Sequence, residues 1–203
     1  MCGRFIDPNL RGTEFEFAEP KITPFPRRFN VKPTQDVYVL LGNEITCARW
    51  GLIPGWHKGE LTDWRASTIN ARIEDAAKKP TFRGPWKYGR CLVPAGGYYE
   101  WTGDRSPKQP HFVSSAGNEA TLWFAGLTSV WNDMRTCAIV TRAANETVQA
   151  IHDRMPVILS SQEREDWLAG SDSQDLGAAC RLRHHPVARF GVKDEGDVLI
   201  EPQ

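Results

Sequence analysis

Val37-Tyr38-Val39-Leu40-Leu41, then Gly42-Asn43, then Glu44-Ile45-Thr46-Cys47-Ala48-Arg49-Trp50 is the stretch that decides the fold class. Two strand-length runs rich in β-branched and aromatic residues flank a two-residue connection of the kind a tight hairpin requires, which predicts antiparallel sheet. Outward from it, His111 to Ser115, a turn at Ala116-Gly117-Asn118 and the run 121–131 predict a second hairpin, continued by a strand over 135–143. Helical signals are fewer. They cover 69–79, with Asn70 as N-cap, then 145–153, and a segment opened by the capping-box pair Ser160 and Glu163 with Gly170 as its C-cap. There is no strand–helix–strand alternation and no glycine-rich phosphate loop, so a parallel nucleotide-binding sheet is not expected. The proline-rich 25–35 reads as an ordered loop and not as a linker. The expected architecture is a single α+β domain over residues 1–203, mainly antiparallel strands with helices at the periphery.

The composition narrows the function classes. With 40% hydrophobic and 25% charged residues in 203, the chain is too apolar to be disordered and long enough for one sizeable core. It has no apolar run near the roughly 20 residues of a membrane span, and charges interrupt the N-terminal stretch where a secretion signal would need apolar residues. The expectation is a protein that stays in the cytoplasm. Net charge is zero, yet residues 1–100 carry 15 Lys+Arg against 11 Asp+Glu while 101–203 carry 10 against 14. That excludes a uniformly basic nucleic-acid binder and leaves room for a local basic groove. Eight tryptophans exceed what such a chain usually holds and would serve as core or as base-stacking platforms. Five cysteines, an odd number without a close pair, argue against a disulfide framework and against zinc. His184-His185 lacks a third ligand at metal spacing, so neither a metal nor another cofactor is expected.

Four segments carry the chemistry. If Met1 is removed, Cys2 presents an α-amine and a thiol on one residue, with reference pKa values of about 7.7–8.0 and about 8.5. The pair could attack an acyl carbon, thiolate as nucleophile and amine as base, or condense with an aldehyde and close a five-membered thiazolidine. Asn70 and Arg72 could bind a phosphate or sugar at a helix start, or simply cap the helix and pair with an acid. Glu100, between Tyr99 and Trp101, is a carboxyl in an apolar setting, where desolvation raises the pKa towards that of a general acid; an exposed Glu on an alternating strand is the plainer alternative. Gly96 and Gly97 before it predict a bulge or a close approach by another strand. His152, ahead of Asp153, Arg154 and Pro156, should sit where a helix turns into a strand.

Met1 to Phe5, Phe29 to Pro33, Trp50 to Trp56, Ile69 to Glu74, Gly96 to Trp101 and Ile151 to Pro156, taken in order, resemble the SRAP family of abasic-site processing proteins. Two regions depart from the family: the segment between Phe5 and Phe29 is short, and the tail from Ala188 to Ile200 lacks part of the usual run. The resemblance implies a partly barrel-like domain that acts as a monomer on single-stranded DNA containing abasic sites, at the nucleoid of a bacterium or in the nucleus of a eukaryote. It implies that Met1 is lost, by autoproteolysis, and that Cys2 forms a thiazolidine with the ring-opened abasic sugar. Asn70 would position Cys2 and the sugar, and Glu100 with His152 would be the acid/base pair. Arg4 and Arg72 would hold phosphates, and Asn30, Pro33 and Trp56 would line the DNA channel. The bottom-up chemistry agrees, because an abasic site offers the aldehyde an aminothiol traps. Arginines near Cys2 are expected to lower its amine and thiol pKa values. Two rivals remain: a glutamine amidotransferase with an N-terminal nucleophile, and a non-catalytic single-strand-binding module.

Overall fold

The computed structural model describes residues 2–10, 15, 19–103 and 107–203. Met1, whose removal would expose Cys2, lies outside the described residues, as does part of the short segment between Phe5 and Phe29. Among the described residues twelve strands run in chain order. The first six are β1 (Arg4–Ile6), β2 (Glu19–Pro20), β3 (Asp36–Leu41), β4 (Glu44–Trp50), β5 (Asn70–Arg72) and β6 (Arg90–Ala95). The rest are β7 (Gly97–Thr102), β8 (Gln109–Ser115), β9 (Leu122–Trp131), β10 (Met134–Ala143), β11 (Arg154–Pro156) and β12 (Leu182–Pro186). The helices are short: α1 (Arg83–Tyr88), α2 (Glu146–Gln149) and α3 (Ser161–Leu168).

The hairpin over 36–50 forms as expected, with Gly42 at φ +60 in the turn. Its strands join β6, β9 and β10 in the order β10-β9-β6-β3-β4, and β4 returns to β10 in parallel through Arg49 opposite Thr136 and Trp50 opposite Cys137. The sheet is thereby a closed five-stranded barrel in a mostly antiparallel α+β fold. A second sheet, β1-β7-β8-β12, packs Phe5, Tyr98 and Val113 into the same apolar cluster as the barrel's inward residues, among them Val37, Val39, Trp50, Phe124 and Ile139. The outward residues of the barrel strands (Tyr38, Leu40, Trp123, Leu127) are covered too, by Trp86 of α1, Trp167 of α3 and the loops around them. Strands buried on both faces explain why so many of these runs are continuously apolar.

Two expectations from the sequence are corrected. Strands β8 and β9 do not form a hairpin: β8 pairs with β7 and β12, while β9 pairs with β6 and β10. The chain leaves the barrel at the Gly96-Gly97 pair, builds β7 and β8 on the second sheet, and returns to the barrel only at β9. Sequence adjacency therefore misleads at this point. Residues 69–79 are not a helix. Asn70–Arg72 lie parallel to Ile139–Thr141 of β10, just past the point where β4 ends on that strand, and 73–79 form successive turns. The capping box at Ser160 and Glu163 is present, with Ala169 as C-cap and Gly170, at φ +99, one residue further on.

The glycine pair has the close approach read from the sequence. A Cβ on Gly97, whose φ is +152, would enter the Phe112 ring and stand 2.8 Å from the Val113 carbonyl oxygen. Gly97→Ala should therefore destabilise by about 2–3 kcal/mol, the cost of overpacking a filled interior. Gly84, inside α1 with no atom within 4 Å of its added Cβ, should tolerate Ala with a gain of up to about 1 kcal/mol from helix propensity. Denaturant midpoints of the two variants check this, and equal shifts would refute the packing account.

Candidate functional site

Strand alternation sorts β7 into two working faces, because successive side chains point to opposite sides. Tyr98 and Glu100 face the main core together with Cys2 and Phe5, whereas Tyr99 and Trp101 face a smaller cluster with Ile6, Phe112 and Phe190. Arg4, opposite Tyr99 in the β1–β7 register, joins that second side and lies over the rings of Trp101 at 5.9 Å and Phe190 at 6.0 Å.

Cys2 is fully buried. The Asn70 side-chain amide donates from Nδ2 to the Cys2 carbonyl oxygen at 3.0 Å, and the Cys2 thiol points to the Arg4 carbonyl at 3.9 Å. Asn70 therefore holds the backbone of Cys2 and caps no helix, while its own Oδ1 is buried with no partner among the described residues. Burial, and next the charge of Glu100, push the Cys2 thiol far above its ordinary range. This corrects the expectation that arginines would lower it: Arg4 turns its guanidinium to the other face of β7. Burial also raises Glu100, opposed by nearby positive charge, His152 included. The apolar setting read from the sequence for this carboxyl is therefore present. The Tyr98 hydroxyl, fully buried beside Cys2 and Glu100, is held protonated by desolvation.

His152 stands between α2 and β11, where the sequence placed it. The Arg154 backbone N–H donates to its Nδ1 at 2.9 Å, which assigns the proton of the neutral ring to Nε2. Asp153 Oδ1 lies 2.8 Å from the same nitrogen, a contact that a ring carrying its proton on Nδ1 would make instead. Arg154 is itself anchored: its guanidinium makes two bonds to Glu74, at 2.5 and 2.9 Å, and one to the Thr141 carbonyl.

The residues expected to contact DNA divide. Arg72 is exposed and stands 3.6 Å from Glu74, the pairing with an acid that was the plainer reading of its role. Trp56 is 57% exposed and half-buried Pro33 lies in the turn after Val31, so both present surface. Asn30 does not. It is fully buried, accepts from Arg4 Nη1 at 2.8 Å and donates to the carbonyls of Gly191 and Asp194, so it fixes Arg4 instead of facing a channel. Sequence reasoning gave no role to Tyr98, Arg154, Glu74 or Phe190. For Tyr98 a signal existed, since residues two apart on a strand share a face and Glu100 was already singled out. Among the described residues no three His, Cys, Asp or Glu side chains gather as a metal cage, and no helix is long and apolar enough to cross a membrane.

Residues 1–192 match the profile of the SOS response associated peptidase (SRAP) family. The chain is 36% identical over 183 residues to the abasic site processing protein YoqW of Bacillus subtilis (strain 168), covering 83% of this chain and 80% of that protein. It is 31% identical to the abasic site processing protein YedK of Escherichia coli (strain K12) over the whole of both chains. A crystal structure of a protein from Bacteroides thetaiotaomicron shares the fold with a TM-score of 0.85 at 23% identity, covering 100% of each chain.

The Glu74–Arg154 pair gives a pH dependence. Hydrogen bonding from Arg154 holds the Glu74 carboxyl at about 2 against an ordinary 4.5. A depressed carboxyl contributes stability that is complete above its unfolded pKa and disappears as pH falls from 4.5 towards 2. The pair is partly exposed and its contribution is small, so the comparison matters more than its size. Wild type should exceed Glu74→Gln in denaturant midpoint at neutral pH, and the gap should close over that acid window. A gap independent of pH would show that the ion pair is not its source.

Proposed function

The chain belongs to the SRAP family, and on that premise we propose that it processes abasic sites in single-stranded DNA by covalent capture through Cys2. The observation that carries the reading is the clamp of Asn70 on the Cys2 carbonyl beside a buried carboxyl, Glu100, whose charge acts on the thiol. Such an arrangement orients the first residue of the mature chain and keeps a proton carrier within its reach. The named relatives act on abasic sites, and the aminothiol chemistry explains why that lesion is the substrate.

Hydrolysis of the Met1–Cys2 peptide bond consumes one water and frees the Cys2 amine; this step is peptidase chemistry performed by the chain on itself. The ring-opened sugar then offers an aldehyde. The amine adds to its carbon and water leaves, with Glu100 or His152 supplying the proton the departing oxygen needs. The thiol next adds across the C=N bond: sulfur bonds to carbon, and the thiol proton ends on nitrogen. The product is a thiazolidine, and the imine that would promote strand cleavage is gone. Bond making and breaking of this lyase type can run backwards through the same proton carriers. Because the thiol is pushed up by burial, it reacts from its neutral form and loses its proton only as the C–S bond forms. Glu100 is suited to take that proton.

A position without a base costs little to unstack and bends easily, which lets its sugar reach a buried residue. Arg72 and Arg4 would hold phosphates of the bound strand, and Trp56 and Pro33 would offer it surface. Cys2, Asn70, Glu100 and His152 all come from one chain, so a monomer suffices.

Cys2→Ala should abolish the covalent adduct, read as a mass shift after incubation with an abasic oligonucleotide, while single-strand affinity stays within a few-fold because phosphate contacts dominate it. A heat-stable adduct on the Ala variant would assign the chemistry elsewhere. Glu100→Gln should slow adduct formation by about 10²-fold or more. Because the raised Glu100 pKa keeps its acid form to higher pH, and that form is lost as pH rises further, the wild-type rate should decline on the basic side. In the Gln variant that decline should be absent; its persistence would remove Glu100 as the donor.

A further inference from the structure

A cleft of about 390 Å³ opens beyond Trp56, between α1 and the ends of β9 and β10. Its walls combine flat apolar surface with unmatched positive charge. Trp56 is 57% exposed, Tyr88 80% and Val130 50%, and the cleft is also lined by Arg83 and Arg135. No acidic side chain lines it. Other arginines of this chain are tied to carboxylates, Arg28 to Asp7, Arg90 to Asp172 and Arg154 to Glu74. Neither Arg83 nor Arg135 has such a partner among the described residues. Lys87, outside the cleft's lining, stands 5.0 Å from the Tyr88 ring.

We propose that this cleft is a second contact for the DNA strand, stacking bases on Trp56 and Tyr88 while Arg83 and Arg135 hold phosphates; the proposal rests on the functional reading given above. Rings with free π-faces accept any base, and unpaired guanidiniums bind phosphate bidentately, which together form a single-strand platform without sequence preference. The distance fits. Arg135 lies four residues along β10 from Ile139, the register partner of Asn70. At about 3.3 Å per residue the separation is about 13 Å. A strand held at Cys2 therefore reaches the cleft within a few nucleotides, since even a stacked strand advances about 3.4 Å along its axis per phosphate.

The test compares wild type, Arg83→Ala/Arg135→Ala and Arg83→Lys/Arg135→Lys on undamaged oligothymidylate of about 20 and about 6 nucleotides, lengths above and within one binding site. For the longer strand the double Ala variant should lose about tenfold in affinity, and its salt slope should fall by about 1.4, two contacts at about 0.7 each. The Lys variant should keep the wild-type slope, which separates lost charge from lost folding. An unchanged slope on the long strand, or equal losses on both lengths, overturns the proposal. So does an acidic peptide that binds wild type but not the double Ala variant and leaves the strand in place. Undamaged DNA cannot crosslink, so these outcomes are read independently of Cys2; failure of wild type to form an adduct on abasic DNA would count against the functional reading alone.

Discussion

The parallel pairing of β4 with β10 is the constraint on which the rest of the molecule depends. It closes the barrel at Thr136 and Cys137, and β4 then ends, leaving the next stretch of β10 without a neighbour. Asn70–Arg72 take that vacant place, after an excursion through 51–69 that is pinned back by Trp50 Nε1 donating to the Ile69 carbonyl and by Ile53 N–H donating to the Thr136 hydroxyl. Asn70 stands where it can hold Cys2 because a buried indole and a buried threonine fix both ends of the excursion. The register is as strict as the side-chain period: a slip by one residue would turn Asn70 and Arg72 to the opposite face.

The same burial that stabilises the fold sets the reactivity. Cys2, Glu100 and Tyr98 share one apolar compartment with Phe5 and Phe124, and desolvation moves all three titratable groups towards their neutral forms. Burial disfavours charge on the Cys2 thiol and on the Glu100 carboxyl alike, and a charge on Glu100 disfavours the thiolate further. On the other side of β7, two sets of rings keep the Arg4 guanidinium out of that compartment. One strand thus separates the buried compartment of Cys2 and Glu100 from the side that carries Arg4, through no device other than alternation.

Much of this was legible in the sequence because it is local. The Gly42-Asn43 turn, the Ser160–Glu163 box, the burial of Glu100 between aromatic residues and the place of His152 before Arg154 all depend on neighbours within a few positions. What was not legible is long-range. The pattern of 69–79 satisfies helix periodicity, but an open slot on β10 outweighs a weak propensity. Residues 111–131 satisfy the hairpin pattern, but the Gly96-Gly97 corner had already moved β7 to another sheet. Asn30 illustrates the same limit: its motif pointed to DNA, while its actual partners, Gly191 and Asp194, lie more than 150 residues away and no spacing rule announces them. The solvent-facing Trp56 was given its place only through the family resemblance, since exposure leaves no periodic trace.

The bonds from the tail to Asn30 also set an order of events during synthesis. Phe190 lies against Arg4, Asn30 donates to Gly191 and Asp194, and the Phe29 N–H donates to Glu195. Residues 29 and 30 are thus braced by residues more than 150 positions further on, which are translated well after them. A ribosome-bound chain can close its barrel strands while the Arg4 guanidinium still lacks its support. The bracing of Arg4 through Asn30 is complete only once residues 190–194 have left the exit tunnel and folded back.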